Sequence, residues 1–168
     1  MKKILALLIV VLLSVSAIYA GITDEYKGTM KKDALAVGLN AGTNSGVVVN
    51  YGMGDFDLEG IVGFSFINGS GLDVEVAANY EVADFSKDLK IKGSMPFTVG
   101  GEAGVWMKFG DAFKLGVNAL VPLKVTYSFP KFPMNVYLRI APGLELQIVD
   151  AINIGFGIQG SIGATYNF

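Results

Sequence analysis

The chain has 168 residues and contains neither His nor Cys, while Lys and Arg total 13 and Asp and Glu total 15. With no imidazole and no thiolate, the commonest general base, the commonest metal ligand and any disulfide framework are absent. Chemistry must come from carboxylates, amines and one guanidinium. Three charges stand out: Glu102, Lys124 and Arg139 fall at similar depth on three consecutive strands, counted from the lower end of each. A carboxylate flanked by two cations in a dry interior has to form a paired network, because an unpaired charge there is strongly unfavourable. Such a network reads either as a gate that can be rearranged or as permanent packing. Glu59, Glu75 and Glu145 are candidates to join it from other strands.

Other constellations are weaker. Asp55, Asp57 and Glu59 alternate, so they share one face near a mouth, where hard cations favour oxygen clusters. Strand-borne carboxylates of this spacing read more simply as a solvated rim, so no metal site and no cofactor is expected. Asn68-Gly69-Ser70 fits a glycosylation sequon by its letters and a hairpin turn by its chemistry. Gly100-Gly101 lacks the Lys-Ser/Thr and the following helix of a phosphate loop. No Ser–Lys pair stands out as a nucleophile and its base. The chain is therefore expected to have no catalytic residues and not to be an enzyme. Its net charge of −2, with scattered basic residues, excludes a nucleic-acid footprint.

The elements that must position these charges begin after an address. Lys2 and Lys3 precede an apolar run from Ile4 to Val15, and small residues lead to Ala20. This pattern is a cleaved export signal over residues 1–20, with a cut after Ala17 as the alternative. Residues 21–33 form a polar, mobile lead-in.

From Ala34 to Phe168 the apolar period is two. Ile152, Ile154, Phe156, Ile158, Ile162, Ala164, Tyr166 and Phe168 share one phase, opposite a row of Gly, Ser, Thr, Asn and Gln. Such alternation places one row on each face of a strand. Turn signals divide the chain into eight strands: 34–42, 45–53, 55–67, 72–83, 96–109, 113–129, 134–149 and 151–168. Residues 86–95 read either as a downward extension of the fifth strand or as a rim loop. The expected fold is all-β: an eight-stranded antiparallel up-and-down transmembrane β-barrel with short turns, over residues 34–168.

Alternation alone does not choose between membrane and water. Two features favour a bilayer. The polar row holds small residues suited to a narrow interior, and the apolar row carries essentially no charge from 96 to 168. Tyr51, Phe56, Tyr80, Tyr127, Phe129, Tyr166 and Phe168 cluster toward one boundary, as an interfacial girdle would. The terminal Phe168, with Tyr166, Ala164 and Ile162 on its face, looks like the assembly signal of outer-membrane barrels. Outer-membrane lipid and, through the last strand, the barrel assembly machinery are the expected partners. A protein or small-molecule ligand is left unidentified.

On this basis the chain resembles a family of small outer-membrane barrels best known from spirochaetes, and more distantly the OmpA/OmpX class without its long outward loops. The similar stretches are Phe97–Gly104, Val121–Phe129, Val136–Leu146 and Gly155–Phe168, with Asn79-Tyr80 and Asp84-Phe85 where that family tends to carry a similar Asp-Tyr and Asp-Phe pattern. The resemblance implies an eight-stranded barrel and no general enzymatic role. Three functions remain open: a structural or interaction barrel of the outer membrane closed by its lumen charges; a narrow, porin-like channel or carrier gated by them; and a soluble periplasmic, lipocalin-like binder.

Overall fold

The computed structural model describes residues 29–65, 70–86, 88–110, 112–149 and 152–168. The expected export signal, residues 21–28 of the lead-in and the Asn68-Gly69 turn lie outside these. Among the described residues there is no helix. Nine strand segments run β1 (Leu35–Gly42), β2 (Ser45–Gly52), β3 (Asp57–Ser65), β4 (Ser70–Asp84), β5 (Pro96–Phe109), β6 (Lys114–Leu120), β7 (Leu123–Ser128), β8 (Met134–Gln147) and β9 (Asn153–Asn167). Every pairing is antiparallel between neighbours, and β9 returns to β1 with Val37 opposite Tyr166 and Leu39 opposite Ala164. The sheet is therefore closed, and no edge is left unpaired.

The sixth strand is the one that differs from the sequence reading. It is split at Val121-Pro122 into β6 and β7, which lie end to end between β5 and β8. The nine segments thus occupy eight positions round the ring. Proline has no N–H to give the ladder, but its carbonyl still accepts from Gly100 N at 2.9 Å, and Val121 N donates to Pro142 O at 2.8 Å. The phase survives the break: Asn118, Leu120, Pro122, Lys124 and Thr126 all stay buried on one face.

The interior is the reverse of a water-soluble domain's. Buried side chains are mostly polar or charged, while Leu39, Val62, Val76, Leu138, Ile154, Phe156 and Ile162 stand exposed on the outward face. Val48, Ile61 and Tyr137 form the one small apolar cluster among the described buried residues. Large inward side chains are accommodated by glycine on the adjacent strand. A Cβ on Gly116 would strike the Trp106 indole, one on Gly157 the Glu145 carboxyl, and one on Gly163 the Tyr137 ring. This explains why the polar row is so rich in glycine: eight strands enclose too little space for two large residues side by side.

The end of the barrel that carries Thr29 and Phe168, here the proximal end, is closely tied. Asp57 accepts from Thr29 N at 2.7 Å and from Met30 N at 3.1 Å. Asp33, with φ 64°, donates its N–H to Gly52 O at 2.8 Å. The last residues of the lead-in are thus docked against the barrel, contrary to a mobile segment throughout, because a buried carboxylate near the mouth needs donors. The described residues of 86–95, which are 86 and 88–95, form a rim loop rather than a strand extension. Asp84 organises it by accepting from Ser86 N at 2.8 Å, Ser94 Oγ at 3.1 Å and Met95 N at 3.3 Å. One isolated bridge, Ser94 to Ser128, joins it to β7. Gly93 sits there at φ 113°, which a side chain would oppose.

Candidate functional site in the barrel lumen

The lumen holds two separate arrangements of charge. At mid-height, Lys124 on β7 lies directly opposite Arg139 on β8 in the ladder, so two cations meet. Glu59 resolves the repulsion from β3, four positions round the ring from β8. Lys124 Nζ donates to Glu59 Oε2 at 2.6 Å, and Arg139 Nε stands 3.8 Å from Glu59 Oε1. The second carboxylate, Glu102 on β5, accepts from Arg139 Nη2. Two cations and two carboxylates make the group neutral. Arg139 and Glu59 are each 1% exposed, so this is a dry cross-lumen brace.

The brace has one loose joint. At 3.8 Å the Arg139–Glu59 contact is too long for a hydrogen bond, and both Arg139 Nε and Glu59 Oε1 lack a hydrogen-bond partner among the described residues. Lys124 also stands 5.5 Å from the Tyr137 ring centroid, within cation–π reach, and Tyr137 donates its hydroxyl to Asn40 Oδ1 at 3.1 Å.

Toward the distal end, where the turn at 43–44 lies and β8 ends, Glu75 is handled differently. It is also 1% exposed, yet it meets no cation within 4 Å among the described residues. Three side-chain amides donate to it instead: Gln159 Nε2 at 2.6 Å, Asn44 Nδ2 at 3.0 Å and Asn118 Nδ2 at 3.3 Å. They come from β9, the β1–β2 turn and β6, so this node also links distant walls. None of the three amides was singled out from sequence. Asn44 in particular reads as a turn residue, and only the turn's inward lean brings it to Glu75.

Of the six residues expected in one network, the structure brings Glu59, Glu102, Lys124 and Arg139 together. Glu75 stands in its amide nest, and Glu145 is half-buried beside a distal cavity. Of the alternating acids, Asp57 and Glu59 point inward and Asp55 is exposed. No group of metal-holding residues occurs among the described residues.

The aromatic residues toward the proximal end lie in contact pairs on the outside: Phe56–Tyr80 with centroids at 5.6 Å, Tyr127–Phe129 at 4.9 Å and Tyr166–Phe168 at 5.1 Å. Tyr51 donates to Asp33 Oδ1 at 2.8 Å and Tyr127 to Lys92 O at 2.6 Å, tying the lead-in and the rim loop to this band. Ile162, Ala164, Tyr166 and Phe168 lie along the strand that closes the ring, with Phe168 N donating to Leu35 O at 2.8 Å.

Comparison with known proteins supports this architecture from structure alone. No family model matches the chain, and no curated protein matches it by sequence. Among solved structures it is similar to the crystal structure of the N-terminal β-barrel domain of Pseudomonas aeruginosa OprF. The TM-score is 0.57 at 11% identity, over 83% of this chain and 100% of that one. Identity this low carries the fold and nothing finer: the chain is a closed antiparallel β-barrel of the kind that domain adopts.

Proposed function

We propose that the protein is an exported, integral outer-membrane barrel with a structural or interaction role, its lumen closed by the Glu59–Lys124–Arg139–Glu102 brace. The observation that carries the reading is the inversion of polarity: exposed apolar residues cover the outside while a neutral ion cluster spans the inside. In water that outward surface would be a severe aggregation liability; in a bilayer it is the solvated face. The same inversion counts against a soluble periplasmic binder. The proximal aromatic pairs fit an interfacial girdle, and the closing strand ending in Phe168 fits recognition by the assembly machinery. The spirochaetal resemblance agrees with this reading, and with a barrel that has no catalytic role.

A narrow channel is the second reading. It is favoured by the loose Arg139–Glu59 joint, since a brace with one weak contact among its three can be re-paired to let ions pass. Planar-bilayer conductance of the mature barrel separates the two, once a heat-modifiable gel shift confirms that it is folded. Silence is expected of a permanently braced lumen. Discrete steps that change on replacing Glu102 or Lys124 would make it a channel gated by its lumen charges, and extraction without detergent would overturn both.

A further inference from the structure

The distal end opens into a cavity of about 280 Å³ whose wall includes Asp73, Trp106, Lys108, Glu145 and Gln159. That is close to the lower limit of small-molecule sites, ~300 Å³. Asp73 is 7% exposed, yet it makes no hydrogen bond and no ion pair within 4 Å to any described residue. Trp106 is equally buried, and its indole N–H has no partner among the described residues. Lys108 Nζ rests over the Trp106 ring, 5.0 Å from the centroid. The chain's own ammonium therefore already displays what this wall attracts: a cation on an indole face, within the field of Asp73. Glu75, just below, adds a third negative charge, with no cation within 4 Å of it among the described residues. Against these stand Lys108 and, opposite it in the ladder at the exposed rim, Lys114. Among the described residues carboxylates outnumber amines at this level, and the two amines repel one another.

We infer that the distal cavity is a binding site for a small aliphatic amine, whose ammonium is held by Asp73 and Glu145 against Trp106 in place of Lys108. The site lies inside the barrel, so the inference stands whichever role the barrel has. Specificity would come from charge-assisted N–H···O bonds to the two carboxylates. The small volume would exclude a bulky body.

The chain offers its own reporter, because Trp106 is its only tryptophan. Refolded barrel in detergent is titrated with putrescine while Trp106 emission is followed, with KCl at matched ionic strength as the control. A saturable change that KCl does not produce is expected. Asp73→Asn or Glu145→Gln should weaken it by about tenfold or more, since each removes a charged hydrogen-bond acceptor. Lys108→Met should bind more tightly, because it removes the competitor. Heat-modifiable mobility confirms the fold of each variant, and Glu145→Gln carries the test if Asp73→Asn does not fold. A response that KCl reproduces, one that survives in both carboxylate variants, or one that Lys108→Met leaves unchanged or weakens would overturn the assignment.

Discussion

Glu59 and Glu75 are buried to the same degree, on adjacent strands, and the barrel accommodates them in opposite ways. Glu59 is met by a lysine and an arginine that reach across the lumen. Glu75 is met by three neutral amides. Both solutions meet the requirement that a buried carboxylate have partners, but they leave different fields behind. The braced cluster is neutral and mechanically spans the lumen. The amide nest keeps its negative charge and contributes it to the cavity above. A narrow barrel can thus pair its mid-height charges with one another while holding a buried carboxylate nearer one mouth by amides alone.

The sharpest way to break this contrast is Arg139→Met. It strands Glu102 and leaves Glu59 to Lys124 alone, and we expect a loss of about 3–5 kcal/mol, read from the urea midpoint of the refolded barrel. Joint replacement, Arg139→Met with Glu102→Gln, should recover a large part of that loss because it removes a stranded charge along with its partner. If the double variant is as unstable as the single, Glu102 is not the partner that matters.

Glu75→Gln should cost less, about 1–3 kcal/mol, since one of the nest's acceptors becomes a second donor facing amide N–H groups. A loss equal to that of Arg139→Met would erase the distinction between brace and nest. Gly163→Val tests the packing that both regions share. Its side chain would collide with Tyr137, and overpacking of this kind costs about 1–3 kcal/mol. Tyr137→Leu in the same chain should relieve part of it in the same urea titration.

The smallest effect is expected at the proximal mouth. Asp57→Asn weakens the carboxylate bonds to Thr29 and Met30 by about 1 kcal/mol. Faster limited proteolysis after Lys31 or Lys32, with an unchanged urea midpoint for the barrel, is the outcome that separates a docked lead-in from a structural plug.

Much of the molecule is legible without coordinates. Period-two alternation assigns Glu59, Glu75, Glu102, Lys124 and Arg139 to one face and Ile154, Phe156 and Ile158 to the other, because successive side chains of a strand point oppositely. Turn chemistry separates the strands to within a few residues. The split at Val121-Pro122 escapes such a reading, because the phase continues unbroken across it and only the missing N–H marks the spot. Asn44 escapes it too, since a turn residue carries no face until the turn itself is placed.

The sequence by itself therefore determined the eight positions round the ring, the polarity of each face and the identity of most of the inward charges, Asp55 being the exception. The tertiary structure alone decided which of them meet. Lys124 takes Glu59 from across the barrel, while Arg139 reaches Glu102, and the amides that hold Glu75 come from three separate walls. The physical reason is that alternation fixes a side chain's face but not its height. Height across a closed barrel depends on strand tilt and stagger, which belong to the ring as a whole and to no single strand.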